Sequence, residues 1–291
     1  MDTNVQKYLA FSKTVELGSF TSAARALHYT QSGVSRMIAD LERDWNVSLL
    51  ERGRAGVSLT SEGRALLPFA EEVCAAHARL QAQVDDLNGL QSGLIRIGTF
   101  SSVAAHWLPN IVKELQKDHP GIDYELVLGD YAEIEGWIAE GRVDCGFVRL
   151  PTRPEFDALP LERDELLAVL PEGHPLATGE RLPVAALEGE PFMLLAKDKN
   201  AEVALALKRL GVEPDIRFTT WDDYAIMSMV ESGLGISLLP RLILRRTPYR
   251  IAALPLDVPV YREIGLALRD RERAPRAVRR FTEYLGYREN G

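Results

Sequence analysis

Cysteine is scarce: the 291 residues hold two, Cys74 and Cys145, far apart and without a C-x-x-C spacing. That excludes a disulfide scaffold and argues against a cysteine zinc site. No run approaches the ~18 apolar residues that a membrane-crossing helix needs. The opening Met1-Asp2-Thr3-Asn4-Val5-Gln6-Lys7 lacks the basic stretch and apolar core of a secretory leader. No membrane partner is expected, and the cytoplasm is the expected location. The five histidines (His28, His77, His106, His119, His174) show no metal-ligand spacing, and no G-x-S-x-G or P-loop pattern occurs. No metal, no cofactor and no catalytic centre are therefore expected. Positive charge is also in deficit. Lys+Arg number 34 against 42 Asp+Glu, a net charge of −8, where a protein holding nucleic acid by charge alone would be basic. The deficit is uneven: residues 1–60 carry seven Lys/Arg and six Asp/Glu, so the acidity lies in the later part of the chain.

What is present is an ordinary globular composition, 46% hydrophobic and 26% charged, in a chain long enough for two or three domains. Three regions differ in pattern. In residues 1–60, Val5, Tyr8, Leu9, Phe11 and Val15 fall at helical spacing; Gly18 ends that helix and Ser19 caps the next. Ala23, Ala24 and Leu27 form the buried side of a short second helix, and His28-Tyr29 a tight turn. Thr30 caps a third helix, with Val34, Ile38 and Leu41 on one face and Gln31, Ser32, Ser35 and Arg36 on the other. Two short β-like runs then flank a tip bearing Gly53, Arg54 and Gly56. Helix, turn, helix and hairpin describe a winged helix-turn-helix. Gln, Ser and Arg crowded into the first turns of a recognition helix match what base edges in a major groove accept and donate. Arg52 and Arg54 at a hairpin tip suit phosphate or minor-groove contact.

Residues 61–90 carry one long stripe. Leu66, Ala70, Val73, His77, Leu80, Val84 and Leu87 step by alternating fours and threes, the 3.5-residue period of a coiled-coil seam. A partner helix from a second copy of the chain is the expected cover. Pro68 should kink this helix or end its first segment. From Gly93 onward, β-like and helical runs alternate in two similar units. The first reads as a β-α-β-α-β unit on a parallel sheet, with strands near 94–98, 122–128 and 143–148. The second has strands near 166–170, 192–195, 216–219 and 235–239, and 263–268 with a helix over 275–285 returns to complete the first. Two α/β lobes joined by crossing strands place a ligand cleft between them.

The ordered series Gly18-Ser19-Phe20-Thr21-Ser22-Ala23-Ala24, Leu27, Thr30-Gln31-Ser32-Gly33-Val34-Ser35-Arg36, Leu41-Glu42, Leu49-Leu50-Glu51-Arg52, Leu59-Thr60 and Gly63 resembles the LysR-type transcriptional regulators. Leu94–Gly98, Leu108-Pro109, Gly141–Asp144 and Gly233–Pro240 resemble that family's effector domain. The chain departs from the family at Leu50, often Phe, at Glu62, commonly Ala, and at Ala55, where the wing arginine usually stands one position after Arg54. The resemblance implies an α/β protein with an α-rich front: a winged helix-turn-helix over 1–60, a dimerisation helix over 61–90, and a two-lobed periplasmic-binding-protein-like effector domain over 91–291. Lobe I would comprise 94–163 and 266–291, and lobe II 164–265. It implies a homodimer through 61–90, commonly a dimer of dimers in the family, on double-stranded promoter DNA. It also implies a small effector that modulates DNA binding. Thr30, Gln31, Ser32, Ser35, Arg36, Arg52 and Arg54 are the candidate DNA contacts.

For the effector, the strand-to-helix loop Thr99-Phe100-Ser101-Ser102 offers hydroxyls and free N–H groups suited to a polar or carboxylate-bearing molecule. Arg149, Lys197, Asp198 and Asn200, and Thr219-Thr220, stand at other strand C-terminal ends where clefts form. Phe100 and Trp221 could cover an apolar part of the ligand. Two other readings share this frame: a two-lobed binding protein or enzyme, and a regulator sensing redox state through Cys145 or Cys74. Cys145 lies in an apolar strand run, where a thiol is expected to be inert.

Overall fold

The computed structural model describes residues 4–53, 56–87, 92–197 and 201–289. The chain divides into two compact units, Met1–Gly93 with Ala139–Arg142, and Leu94–Ile138 with Val143–Gly291.

In the first unit, α1 (Val5–Leu17) stops at Gly18, whose φ of 60° is left-handed. The Gly18 carbonyl accepts from the Val57 N–H at 3.3 Å, so the same turn anchors the wing. Ser19 caps α2 (Phe20–Ala26) by accepting from the Ser22 N–H at 3.3 Å. Thr30 caps α3 (Gln31–Trp45) through the Gly33 N–H at 3.1 Å. These are the short polar side chains that satisfy orphan N–H groups at helix starts. The apolar sides of α1, α2 and α3 meet in one core containing Phe11, Phe20, Val34, Ile38 and Leu41. The hairpin β1 (Leu50–Gly53) and β2 (Gly56–Leu59) pairs antiparallel, Leu50 opposite Leu59. Glu42 ties it to α3, accepting from Leu49 N at 2.7 Å and Leu50 N at 3.2 Å.

Thr60 then starts α4 (Ser61–Leu87), accepting from the Gly63 N–H at 2.8 Å. Gly63 is needed for packing: a Cβ there would lie 2.1 Å from the Leu49 carbonyl oxygen. The helix continues through Pro68 for 27 residues. The expected end of a first segment is therefore absent; proline removes one donor without interrupting the run. Leu66 and Ala70, at the start of the stripe, pack into the unit's own core. Val73, Leu80 and Val84 are exposed at 42%, 63% and 40%, and His77 is exposed as well.

The second unit contains, in order, β3 (Ser92–Thr99), α5 (Ser101–His106), α6 (Leu108–Asp118), β4 (Gly121–Leu128), α7 (Tyr131–Glu140), β5 (Cys145–Arg149), β6 (Asp157–Pro171), β7 (Pro191–Leu195), α8 (Glu202–Leu210), β8 (Asp215–Thr220), α9 (Asp223–Glu231), β9 (Ser237–Pro240), α10 (Arg241–Leu244), β10 (Ile251–Leu268) and α11 (Arg276–Glu283). Among the described residues, β4-β3-β5-β10-β6-β9 form one sheet and β7-β8 another. The parallel sheet expected from the β-α alternation is mixed: β3 and β5 run parallel, while β10 is antiparallel to both β5 and β6. The two long strands β6 and β10 pass through both lobes. One core gathers Ile97, Trp107, Phe147, Leu266 and Phe281; a second gathers Leu166, Ala168 and Leu170 of β6 with Phe192, Leu207 and Leu256. Between these cores, Asp164 and Arg262 stand directly opposite each other in the ladder.

Candidate functional site

On α3, helical spacing turns Val34, Ile38 and Leu41 inward and leaves Thr30, Gln31, Ser32 and Arg36 exposed, with Ser35 half-buried. Thr30 and Ser32 share a 3.2 Å hydroxyl contact. Gln31 and Arg36 have no side-chain hydrogen bond to any described residue, so their donors and acceptors are available to a partner. The backbone of Arg52 lies in β1, but its side chain is outside the described residues, as is all of Arg54.

In the second unit a cavity of about 300 Å³ opens at the crossing of β6 and β10. Its walls come from the β3–α5 junction (Phe100, Ser101, Ser102), the β4–α7 junction (Leu128–Ala132), the end of β5 (Arg149), the end of β7 (Leu195–Lys197), and the starts of α8 and α9 (Glu202, Asp223), with Arg262 from β10. These are strand C-terminal ends and helix starts, the usual place for a cleft in such sheets. Arg262 is almost fully buried and donates from Nε (2.9 Å) and Nη2 (2.7 Å) to Asp164 Oδ2. Its Nη2 also reaches Ser102 Oγ at 2.9 Å, and Nη1 reaches the Tyr131 hydroxyl at 3.1 Å and Glu202 Oε2 at 3.5 Å. Asp164 Oδ1 accepts from the Leu242 N–H at 3.0 Å. Arg262 thus ties both lobes together beneath the cavity.

Burial opposes the charge on Arg262, but Tyr131, Glu202 and Asp164 beside it outweigh this and hold its pKa above the usual value. Burial pushes the Glu202 carboxyl up, against the pull of Arg262 and Arg149. It pushes Asp223 up as well, against Arg262 and a hydrogen bond with Ser101. Asp130 goes the other way: burial raises it, but the Glu133 N–H and Lys197 outweigh burial and hold it low. A carboxyl raised in the folded state releases its proton more readily when unfolded, so it lowers stability as pH rises through its unfolded value of about 4.3. Glu202→Gln is therefore expected to raise the urea midpoint of the unliganded protein at neutral pH. The gain should shrink as pH falls toward that unfolded value; a gain independent of pH would contradict this origin.

Comparison with known proteins follows the same division. A family model described as the bacterial regulatory helix-turn-helix protein, lysR family, matches residues 5–64, and the LysR substrate binding domain matches residues 88–288. The chain belongs to the LysR family of transcriptional regulators. Among curated relatives, a probable HTH-type transcriptional regulator LrrA of Synechococcus elongatus is 35% identical over 270 residues, covering 91% of this chain and 90% of that protein. The uncharacterized HTH-type transcriptional regulator YvbU of Bacillus subtilis is 29% identical, covering 94% of each chain. The crystal structure of the LysR regulator CbnR in complex with its target DNA has a TM-score of 0.74 at 22% identity, covering 98% of this chain and 100% of that one.

Within this LysR effector unit, Phe100, Ser101, Ser102, Arg149, Lys197 and Trp221 do line the cavity. Thr99, Thr219 and Thr220 are not among the lining residues. Thr99 is fully buried with its hydroxyl near the Phe100 carbonyl, Thr219 is exposed, and the Thr220 hydroxyl accepts from Asp222 N at 3.3 Å. Asp198 and Asn200 lie outside the described residues. In the loop expected to take an anion, Ser102 Oγ is engaged by Arg262 at 2.9 Å, and Ser101 lies close enough to Asp223 to favour its charged form. Asp130, Tyr131, Glu135, Glu202, Asp223 and Arg262 escape the sequence reading and join the wall only in the fold. Burial raises both thiols, Cys74 to about 11 and Cys145 well above its ordinary value, which makes thiolate chemistry poor at either.

Proposed function

We propose that this LysR regulator is a cytoplasmic homodimer, or a dimer of dimers, joined along α4, that reads promoter DNA with the head of α3 and the wing. A small polar or carboxylate-bearing molecule in the cavity at the β6–β10 crossing modulates that binding. The working division is a DNA-binding domain over 1–60, a linker and dimerisation helix over 61–90 and an effector domain over 91–291, with lobe I at 94–163 and 266–291 and lobe II at 164–265. The observation that carries the proposal is the exposed, unengaged Gln31 and Arg36 on the first turns of α3, opposite its buried stripe. Gln31, Ser35 and Arg36 read bases; Thr30, Ser32, Arg52 and Arg54 contact phosphates or the minor groove. Linked reading heads offset the weak charge of each one.

Arg36→Ala is expected to cost about 1–3 kcal/mol on the right operator and to relax preference at one base pair. Fluorescence anisotropy on operator variants and random duplexes tests this. Equal weakening on every duplex would reject base readout and leave a phosphate role.

A further inference from the structure

Once the ion pairs inside the protein are set aside, the cavity retains groups of both signs. Lys197 is engaged by Glu133 at 2.7 Å and Asp130 at 3.2 Å. Glu135 accepts from Thr152 at 2.6 Å and from Arg153 at 3.2 Å. Arg262 is held by Asp164 at 2.7 Å. Arg149 is different. Its guanidinium lies 5.7 Å from the centre of the Tyr131 ring and has no hydrogen bond or ion pair with any described residue. Its charge still acts on Glu202, though no ion pair joins the two. Glu202 Oε2 meets Arg262 Nη1 at 3.5 Å and the Tyr131 hydroxyl at 3.4 Å; its Oε1 is buried and has no hydrogen-bond partner among the described residues. Asp223, also in the wall, is buried, and Arg262, Ser101 and its own backbone N–H favour its charged form. A buried acceptor without a donor costs free energy until a donor arrives.

This arrangement discriminates between classes of ligand. A simple carboxylate would gain Arg149 but would stand against the carboxyls of Glu202 and Asp223. A simple amine would satisfy those carboxyls and meet Arg149 as a like charge. A molecule with both groups meets opposite charge at each end. Phe100, Leu128, Leu195 and Trp221 supply apolar wall for the remainder, and the volume is at the small end for ligand sites.

We infer that the effector is a small zwitterion, an amino acid with an apolar side chain, whose carboxylate is held by Arg149 and whose ammonium is held by Glu202 and Asp223. This rests on the cavity being the effector site and adds the chemical class of what enters it. The test is titration calorimetry on the full chain with three matched series: leucine, methionine and phenylalanine; the same molecules without the amine; and the same molecules without the carboxylate. At least one amino acid should bind at least tenfold more tightly than both of its single-charge relatives. In Glu202→Gln the advantage over the amine-free acid should fall tenfold or more, and in Arg149→Met the advantage over the carboxylate-free amine should fall likewise. Equal or tighter binding of either single-charge relative overturns the zwitterion while leaving an effector site in place. Failure of all three series to bind overturns it too. Loss of operator binding by the full chain in the absence of ligand would instead strike the regulator proposal, so the two failures are told apart.

Discussion

Arg262→Met is expected to destabilise the protein by about 3–5 kcal/mol, the usual cost of leaving one partner of a buried ion pair alone. Asp164 is buried on the opposite strand, and its only cation among the described residues is Arg262. Methionine would fill most of the volume of the arginine stem, so the loss comes mainly from the stranded carboxylate rather than from a void. For a unit of this size that corresponds to a fall in Tm of roughly 10 °C, read by urea and thermal unfolding of the full chain. The double change Arg262→Met with Asp164→Leu should recover part of the loss, since apolar replacement of a buried pair is often close to neutral. Recovery should be incomplete, because Ser102, Tyr131 and the Leu242 N–H each lose a partner. If Arg262→Met unfolds at the wild-type midpoint, Arg262 is not holding the two lobes together.

The same ion pair shows where the sequence is legible and where it is not. The front of the chain is legible because its signals are local: Gly18 at a helix end, Ser19 and Thr30 at helix starts, and the Val34, Ile38, Leu41 stripe each act within a few residues. The crossing strands read in the sequence as short pieces, 166–170 and 263–268, whereas they span Asp157–Pro171 and Ile251–Leu268. Glu162, Arg163, Asp164 and Glu165 interrupt the apolar pattern, and charges usually mark a strand's end. Here part of that charge is satisfied across the ladder by a residue 98 positions away. The cavity acids are hidden for a related reason. Asp130, Glu202 and Asp223 each stand at a helix start, where an acidic residue is expected as a cap or as a complement to the helix dipole. Only the assembled fold shows that Asp222 does the capping of α9, leaving Asp223 to face the cavity.

The α4 stripe gives the second large effect. Its first members, Leu66 and Ala70, are already used inside the first unit. Val73, His77, Leu80 and Val84 remain in solvent, and the Leu87 side chain lies outside the described residues. A helix that continues its apolar register beyond its own core gains nothing from doing so unless a second helix covers it. Leu80→Glu with Val84→Glu places four carboxylates in the seam of a symmetric pair and removes four apolar side chains from it. At about 1.5–3 kcal/mol for each buried side chain, the loss is roughly 6–12 kcal/mol, more than a ten-thousand-fold weakening of association. Sedimentation at micromolar concentration should then give the monomer mass. Circular dichroism of the winged unit should be unchanged, since the α1–α4 packing through Leu66 and Ala70 is untouched. Operator affinity should fall about 10²–10⁴-fold, the advantage that linked heads hold over single ones. An unchanged mass would mean that α4 is not the joint, and operator binding that survived in a proven monomer would mean that paired heads are not required.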